Sequence, residues 1–380
     1  MRILWVSEYR AFGGGYTVIT EGMARALHAA GVEVKVLGLN YQGEEHDLPV
    51  SVIPLLDPTY LATQIELIVH DWMPDAIVVT LDLPHQLSIL PHLKNIAGSF
   101  RIAGVFPIEG APLYVQWAET INQMDVAFTL SQFGVDVCAE RGCFVQHLPI
   151  AQPHGILPAR KSDIALMRTH VKMDGRFGIL KIADNHTRKN WGHTIEYFAR
   201  WHGPDDTLFA LTRPDNAFGW DLFELASDFG AEKIPGTTVM QWADGGEMRI
   251  LSALNASDKA WLINVCDMLL IDSGNEGLCL PILEAFAVGL PVAGMRHTAI
   301  AELLDGGRGV LFAPGYEYRD PFGNVKRYYP EYEAWAAAVD EIKQMPAAAR
   351  DDMRAEALGW LRQRDWQDAV RVLLEGIEGI

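Results

Sequence analysis

MLLIDSGNEGLCLPILEAFAVGLPVAG, residues 268–294, is the stretch that decides the fold. Met268–Ile271 is a short apolar run of strand length, and residues 273–276 carry the small and polar side chains of a loop. Pro281 suits the first turn of a helix, where its missing N–H leaves nothing unpaired. Ile282, Leu283, Ala285, Phe286 and Val288 give that helix an apolar face. Gly289 fits the helix stop, and Pro291 follows two residues later. Residues 291–294 open the next strand. Such a strand–helix–strand unit belongs to a parallel α/β sheet, which binds ligands outside the carboxyl ends of its strands.

The helix start has its own chemistry. Backbone N–H groups of Gly277, Leu278, Cys279 and Leu280 make an anion site there, and the helix dipole reinforces it. Glu276 precedes this site and Glu284 follows it. A carboxylate repels phosphate but accepts hydrogen bonds from hydroxyls. A nucleotide-sugar has hydroxyls on both sides of its diphosphate, so two flanking glutamates suit a clamp on ribose and sugar. Taken as an isolated pair, the same residues read as a loop charge and a solvated helix residue.

Glu276 and Glu284, with Gly277, Pro281 and Gly289-Leu290-Pro291-Val292, resemble the E-x7-E signature of the family-4 retaining glycosyltransferases. The resemblance implies an α/β protein of the GT-B type, with two Rossmann-like domains facing an interdomain cleft. It implies that Glu284 holds ribose hydroxyls and that Glu276 lies near the donor sugar.

Length and composition agree with that architecture. The chain has 380 residues, enough for two domains. No apolar run approaches the length of a bilayer span. The N-terminus MRILWVSEYR begins directly as a strand, without signal-peptide architecture. Cys138, Cys143, Cys266 and Cys279 are few and unpatterned, which suits a reducing, cytoplasmic compartment. Cys138 and Cys143 with His147 imitate part of a metal cluster but lack a suitably spaced fourth ligand, so no metal is expected. The formal charge is −18; up to residue 155, seven Lys/Arg stand against sixteen Asp/Glu. An acidic first half disfavours nucleic acid and anionic membranes as partners.

Read from the N-terminus, residues 3–7 form a buried strand, Gly13, Gly14 and Gly15 a loop, residues 17–30 a helix and residues 32–39 a second strand. The three glycines let backbone approach a ligand closely, and the resemblance places a glycine-rich loop here against the donor diphosphate. Residues 61–72 read as a helix. Ala76–Thr80 is a strand ending near Asp82 and His85, and residues 102–106 a strand ending near Glu109. Many relatives have a histidine after that second strand; Glu109 stands in its place, able to bond a sugar hydroxyl or orient an acceptor, or to cap the next helix. Residues 126–130 and a following helix complete a first domain of residues 1–155. PIAQPHGILPARK, residues 149–161, interrupts the pattern and is the linker candidate.

The second domain spans residues 156–355 and opens on the strand Phe177–Ile182. The family places a lysine and an arginine after this strand to neutralise the diphosphate. Lys189 matches the lysine. The arginine's usual place holds Ala183 or Asp184, so Arg188, or Arg213 after the strand at residues 208–211, is left to replace it. Residues 239–242 read as a strand end and loop, which the resemblance places near the nucleobase. Thr298-Ala299 stands where relatives have a glycine pair, and Glu302 matches an acidic position. Residues 329–341 and 347–375 read as amphipathic helices, and the resemblance implies that residues 356–380 cross back to the first domain.

These readings lead to one expectation. The chain moves a hexosyl or pentosyl group from a nucleoside diphosphate sugar, a UDP-sugar being favoured, to a hydroxyl acceptor with retention. Neither cofactor nor metal takes part. Two alternatives share the fold: a nucleotide-sugar epimerase and a non-catalytic nucleotide-sugar binder. The segment at residues 188–190 and the region 117–134 loosely resemble bacteriophage glycosyltransferases, some of which modify DNA bases; the acidic first half argues against that acceptor.

Overall fold

The computed structural model describes residues 1–10, 13–55, 57–212, 219–252 and 254–379. Two compact units divide the chain. The first comprises Met1–His154, Pro321–Val325 and Gln363–Ile380, and the second Gly155–Asp320 and Lys326–Arg362.

The first unit is built on a parallel sheet of β1 (Arg2–Glu8), β2 (Glu33–Leu39), β3 (Ser51–Leu55), β4 (Ala76–Thr80), β5 (Arg101–Phe106), β6 (Val126–Thr129) and β7 (Gln146–His147). Their order is β3-β2-β1-β4-β5-β6-β7. Strands β1, β4 and β6 are apolar runs because helices cover both faces of such a sheet; Ile3, Leu4, Ile77, Val78 and Phe128 are fully buried. The order reverses between β1 and β4, the switch point at which doubly wound sheets hold ligands. Strand β3 escapes sequence reading because SVIPL carries Pro54, which an edge strand tolerates.

The last helix, Trp366–Glu378, lies on the helix Gly15–Ala29. Trp366 packs so close to Gly22 that a Cβ there would meet its ring at 2.3 Å. The Trp366 indole donates to the Gln152 carbonyl at 3.0 Å. The sequence pattern suggests one helical stretch over residues 347–375. Instead Ala347–Arg362 ends, and Asp365 caps a new helix by accepting from the Gln367 N–H. The capping aspartate is the reason for the break.

The second unit's main sheet contains β8 (Phe177–Ile182), β9 (Asp206–Leu211), β10 (Glu232–Lys233), β11 (Val239–Gln241), β12 (Glu247–Leu251), β13 (Met268–Ile271), β14 (Val292–Met295) and β15 (Val310–Phe312). The order is β10-β11-β12-β9-β8-β13-β14-β15. The six strands from β12 to β15 in that order are parallel, and β10 and β11 extend the sheet antiparallel. Here the order reverses between β8 and β13, so the loops that follow these two strands emerge side by side.

The helix Leu280–Val288 is apolar all round but for Glu284, and every residue except Pro281 is buried. Gly289 ends it at φ +72, and the Leu290 N–H reaches back to the Ala285 carbonyl, the Schellman closure. The sheet's other face packs on Trp191, Ile195, Phe198 and Trp335. A separate hairpin pairs β16 (Pro314–Arg319) with β17 (Lys326–Pro330). It corrects the helix expected at residues 329–341: Tyr328, Tyr329 and Pro330 favour the strand, and the helix is Tyr332–Lys343.

Candidate functional site

The loop after β13 and the loop after β8 are stitched together. The Gly274 N–H donates to the Arg188 carbonyl at 2.6 Å. Asn190 sits at φ +54, which turns its amide to donate to the carbonyls of Asp272 (2.7 Å) and Tyr328 (3.1 Å). Asparagine is among the few residues that take up this backbone conformation readily.

Two cations and one acid meet where the loops join. Lys189 Nζ lies 2.5 Å from Glu276 Oε1, and Arg188 Nη1 lies 3.6 Å from Glu276 Oε2. Arg188 also donates to the Asn275 carbonyl at 3.1 Å. Burial alone would raise the Glu276 carboxyl, but the charges of Lys189 and Arg188 outweigh it and hold the group at about 2. Glu276, Lys189 and Arg188, named separately from sequence, are therefore in direct contact. Arg213 lies outside the described residues.

Immediately after Glu276 comes the helix start. Cys279 is the N-cap residue at φ +66, and no side chain caps the first turn. The opening N–H groups of a helix lack intrahelical partners, so an uncapped start of this kind can take an anion. Leu278, Cys279 and Leu280 are each under a tenth exposed. Glu284, on the same helix, is 2% exposed; its Oε1 pairs with Lys259 Nζ at 2.5 Å, and its Oε2 is buried without a partner among the described residues.

Sequence reading missed three supports. The first is Lys259, a partly buried charge on an unremarkable helix, Ala256–Val265. The second is a buried pair beneath the cluster. Lys181, inside β8, is paired with Asp272 at the end of β13, and both are essentially unexposed. The Lys181 ammonium also donates to Thr194 Oγ1 (2.5 Å) and to the Lys189 carbonyl (2.6 Å). Asp272 in turn accepts from Thr194 (2.8 Å) and from the Trp335 indole (3.3 Å). Burial pulls the Lys181 ammonium below its ordinary range, against the pull of Asp272. A lysine inside an apolar strand run was the available signal.

The third support is His297. Its Nε2 lies 3.0 Å from the Ser273 carbonyl and its Nδ1 3.1 Å from Thr298 Oγ1. A carbonyl only accepts, so Nε2 carries the proton and Nδ1 accepts from the Thr298 hydroxyl. That hydroxyl oxygen accepts the Glu276 N–H at 3.2 Å. Burial holds the imidazole at about 4. Thr298 stands at φ +48, a conformation that costs a β-branched residue about 1–3 kcal/mol. The strained threonine braces Glu276 through its side chain.

In the first unit the glycine loop follows β1. Gly14 precedes the helix Gly15–Ala29, and a Cβ on it would meet nothing within 4 Å; a Cβ on Gly13 would strike Thr17 Oγ1 at 1.9 Å. Beside this loop the Tyr16 hydroxyl donates to Asp82 Oδ1 at 2.5 Å, joining the ends of β1 and β4 at the switch point. Glu109 is half-buried in the loop after β5, while the next helix, Val115–Ile121, is preceded by Tyr114. His85 is exposed. Among the described residues no group of three or more His, Cys, Asp or Glu could hold a metal, and no helix is long and apolar enough to cross a membrane.

No family model and no curated protein sequence matches the chain. Solved structures do. Sucrose-phosphate synthase from Thermosynechococcus elongatus superposes with a TM-score of 0.75 at 14% identity, over 98% of this chain and 97% of that one. Anabaena HepE in complex with UDP-glucose gives 0.74 at 14% identity, over the whole of both chains. Escherichia coli trehalose-6-phosphate synthase bound with UDP-2-fluoro glucose gives 0.68 at 13% identity, over 100% of this chain and 99% of that one. With its parallel sheets and these likenesses, the chain has the α/β fold of the GT-B glycosyltransferases.

Proposed function

We propose that the protein is a retaining glycosyltransferase that uses a UDP-sugar. The observation that carries this reading is the meeting of Lys189, Arg188 and Glu276 at an uncapped helix start, with Glu284 on the same helix. The Anabaena and E. coli proteins of the same fold were captured with UDP-glucose and UDP-2-fluoro glucose, which supports uridine as the base.

The chemistry follows from the charges. As the bond between the anomeric carbon and the phosphate oxygen breaks, its electron pair stays on the diphosphate. Lys189, Arg188 and the helix N–H groups stabilise that growing charge. The acceptor hydroxyl attacks the anomeric carbon from the face the phosphate leaves, and its proton passes to the departing phosphate oxygen. Glu276, released from Lys189 by the incoming diphosphate, accepts hydrogen bonds from the sugar. Glu284 holds the ribose. The glycines at 13–15 and Glu109 belong, in this reading, to the donor and acceptor sides respectively.

Two experiments test it without knowing the acceptor. UDP-sugars should raise the melting temperature more than GDP- or ADP-sugars do, because a ligand selective for the folded chain stabilises it. Slow hydrolysis of UDP-α-glucose, followed by proton NMR, should release α-glucose first. A chain stabilised by no nucleotide-sugar, or one releasing β-glucose first, would overturn the proposal.

A further inference from the structure

Glu284 is held by one oxygen. Lys259 Nζ, reaching across from the helix Ala256–Val265, takes Oε1 at 2.5 Å. The other oxygen, Oε2, is buried and unpartnered. A carboxylate offers about four lone-pair sites, so half of this one is kept from water without a donor. Glu284 is also the only charged residue on a helix that is otherwise wholly apolar. A buried ion pair is weak evidence for stability, and a pair kept only for packing gains by satisfying both oxygens. The arrangement instead fixes which oxygen is engaged and which is left.

We propose that Lys259 is a positioning residue for ribose recognition. It occupies one oxygen of Glu284 and so presents the other to a hydroxyl of the nucleotide's vicinal diol, selecting ribonucleoside over deoxyribonucleoside diphosphates. This rests on reading the second unit's site as a nucleotide-sugar site. Lys259 does not touch the reacting atoms; a quarter of its side chain is exposed, so it can be exchanged without opening the core.

The test is calorimetric titration with UDP and with 2′,3′-dideoxyuridine diphosphate. The wild-type protein should bind UDP on the order of 10-fold or more tightly than the dideoxy compound, the worth of a hydrogen bond to a charged acceptor. In Lys259→Met that ratio should fall towards one, through weaker UDP binding and nearly unchanged dideoxy binding. Lys259→Arg should keep most of it. Lys259→Gln, which retains the stem and a donor without the charge, reads the same ratio if the methionine variant does not fold. A wild-type ratio preserved in both uncharged variants would overturn the role of Lys259 alone, as would equal weakening of both nucleotides. A wild-type ratio of one would overturn the ribose reading of Glu284 itself, and Lys259 with it.

Discussion

Lys189 and Glu276 form an ion pair of 2.5 Å across two loops, with Arg188 3.6 Å from the same carboxylate's second oxygen. The acid thus sits on the two cations assigned to the proposed diphosphate. A diphosphate carries more charge than one carboxylate and can displace it. The exchange leaves the cations on the leaving group and frees Glu276 for hydroxyls. In the proposed reading, binding the diphosphate and freeing the acid are one event.

Lys189→Ala removes the cation nearest Glu276. Transfer should slow on the order of 10²-fold or more, because stabilisation of the leaving group is felt most in the transition state. Steady-state kinetics with a UDP-sugar should place the loss mainly in kcat. A change confined to KM would assign Lys189 to ground-state binding only.

Glu284→Ala should weaken UDP binding about tenfold or more, since it removes the buried acceptor proposed for the ribose. Calorimetry reads this directly. An unaltered Kd would remove Glu284 from the donor site.

His297 gives the fold an acid-sensitive window. Burial holds its imidazole at about 4, against 6.5 for an ordinary histidine. Between those values the unfolded chain binds a proton that the folded chain refuses. Stability therefore rises with pH through the window and is lost as pH falls from 6.5 towards 4, by at most on the order of 3 kcal/mol. Glu276, held at about 2 against 4.5, adds stability that is lost lower, as pH falls from 4.5 towards 2. The melting temperature of wild-type protein should fall more between pH 7 and pH 5 than that of His297→Gln. Equal falls would show that His297 is not the group responsible.

Lys181→Met leaves Asp272 buried without its ion partner. Breaking a buried pair costs about 3–5 kcal/mol, which should appear as a lower urea midpoint. Lys181→Met with Asp272→Leu should recover much of the loss, because two apolar groups leave no charge stranded. A double variant no better than the single would mean that Asp272 is held by Thr194 and Trp335 rather than by charge.

Much of this was legible in the sequence, for identifiable reasons. Residues 268–294 announce themselves because local signals agree: an apolar strand, a polar loop, Pro281 at a helix start and Gly289 at its stop. Lys189, Arg188 and Glu276 could be named one by one, but their contact depends on β8 and β13 being neighbours, which only the sheet order reveals. Lys259, Lys181 and His297 were missed because each joins side chains or backbone 24 or more residues away, and an isolated charge or histidine carries no period. The last two residues of β17, Tyr329 and Pro330, were read as the start of the following helix, whose apolar pattern runs on from them. The break before Trp366 was hidden by apolar residues on either side of it.

The central claim is that the second unit's loop-and-helix start cradles a nucleoside diphosphate. A crystal structure grown with UDP tests it most directly. The account predicts the diphosphate within hydrogen-bond distance of Lys189 and of the backbone N–H groups of residues 277–280, with a ribose hydroxyl on Glu284. A nucleotide bound elsewhere, with Lys189 still paired to Glu276, would contradict it.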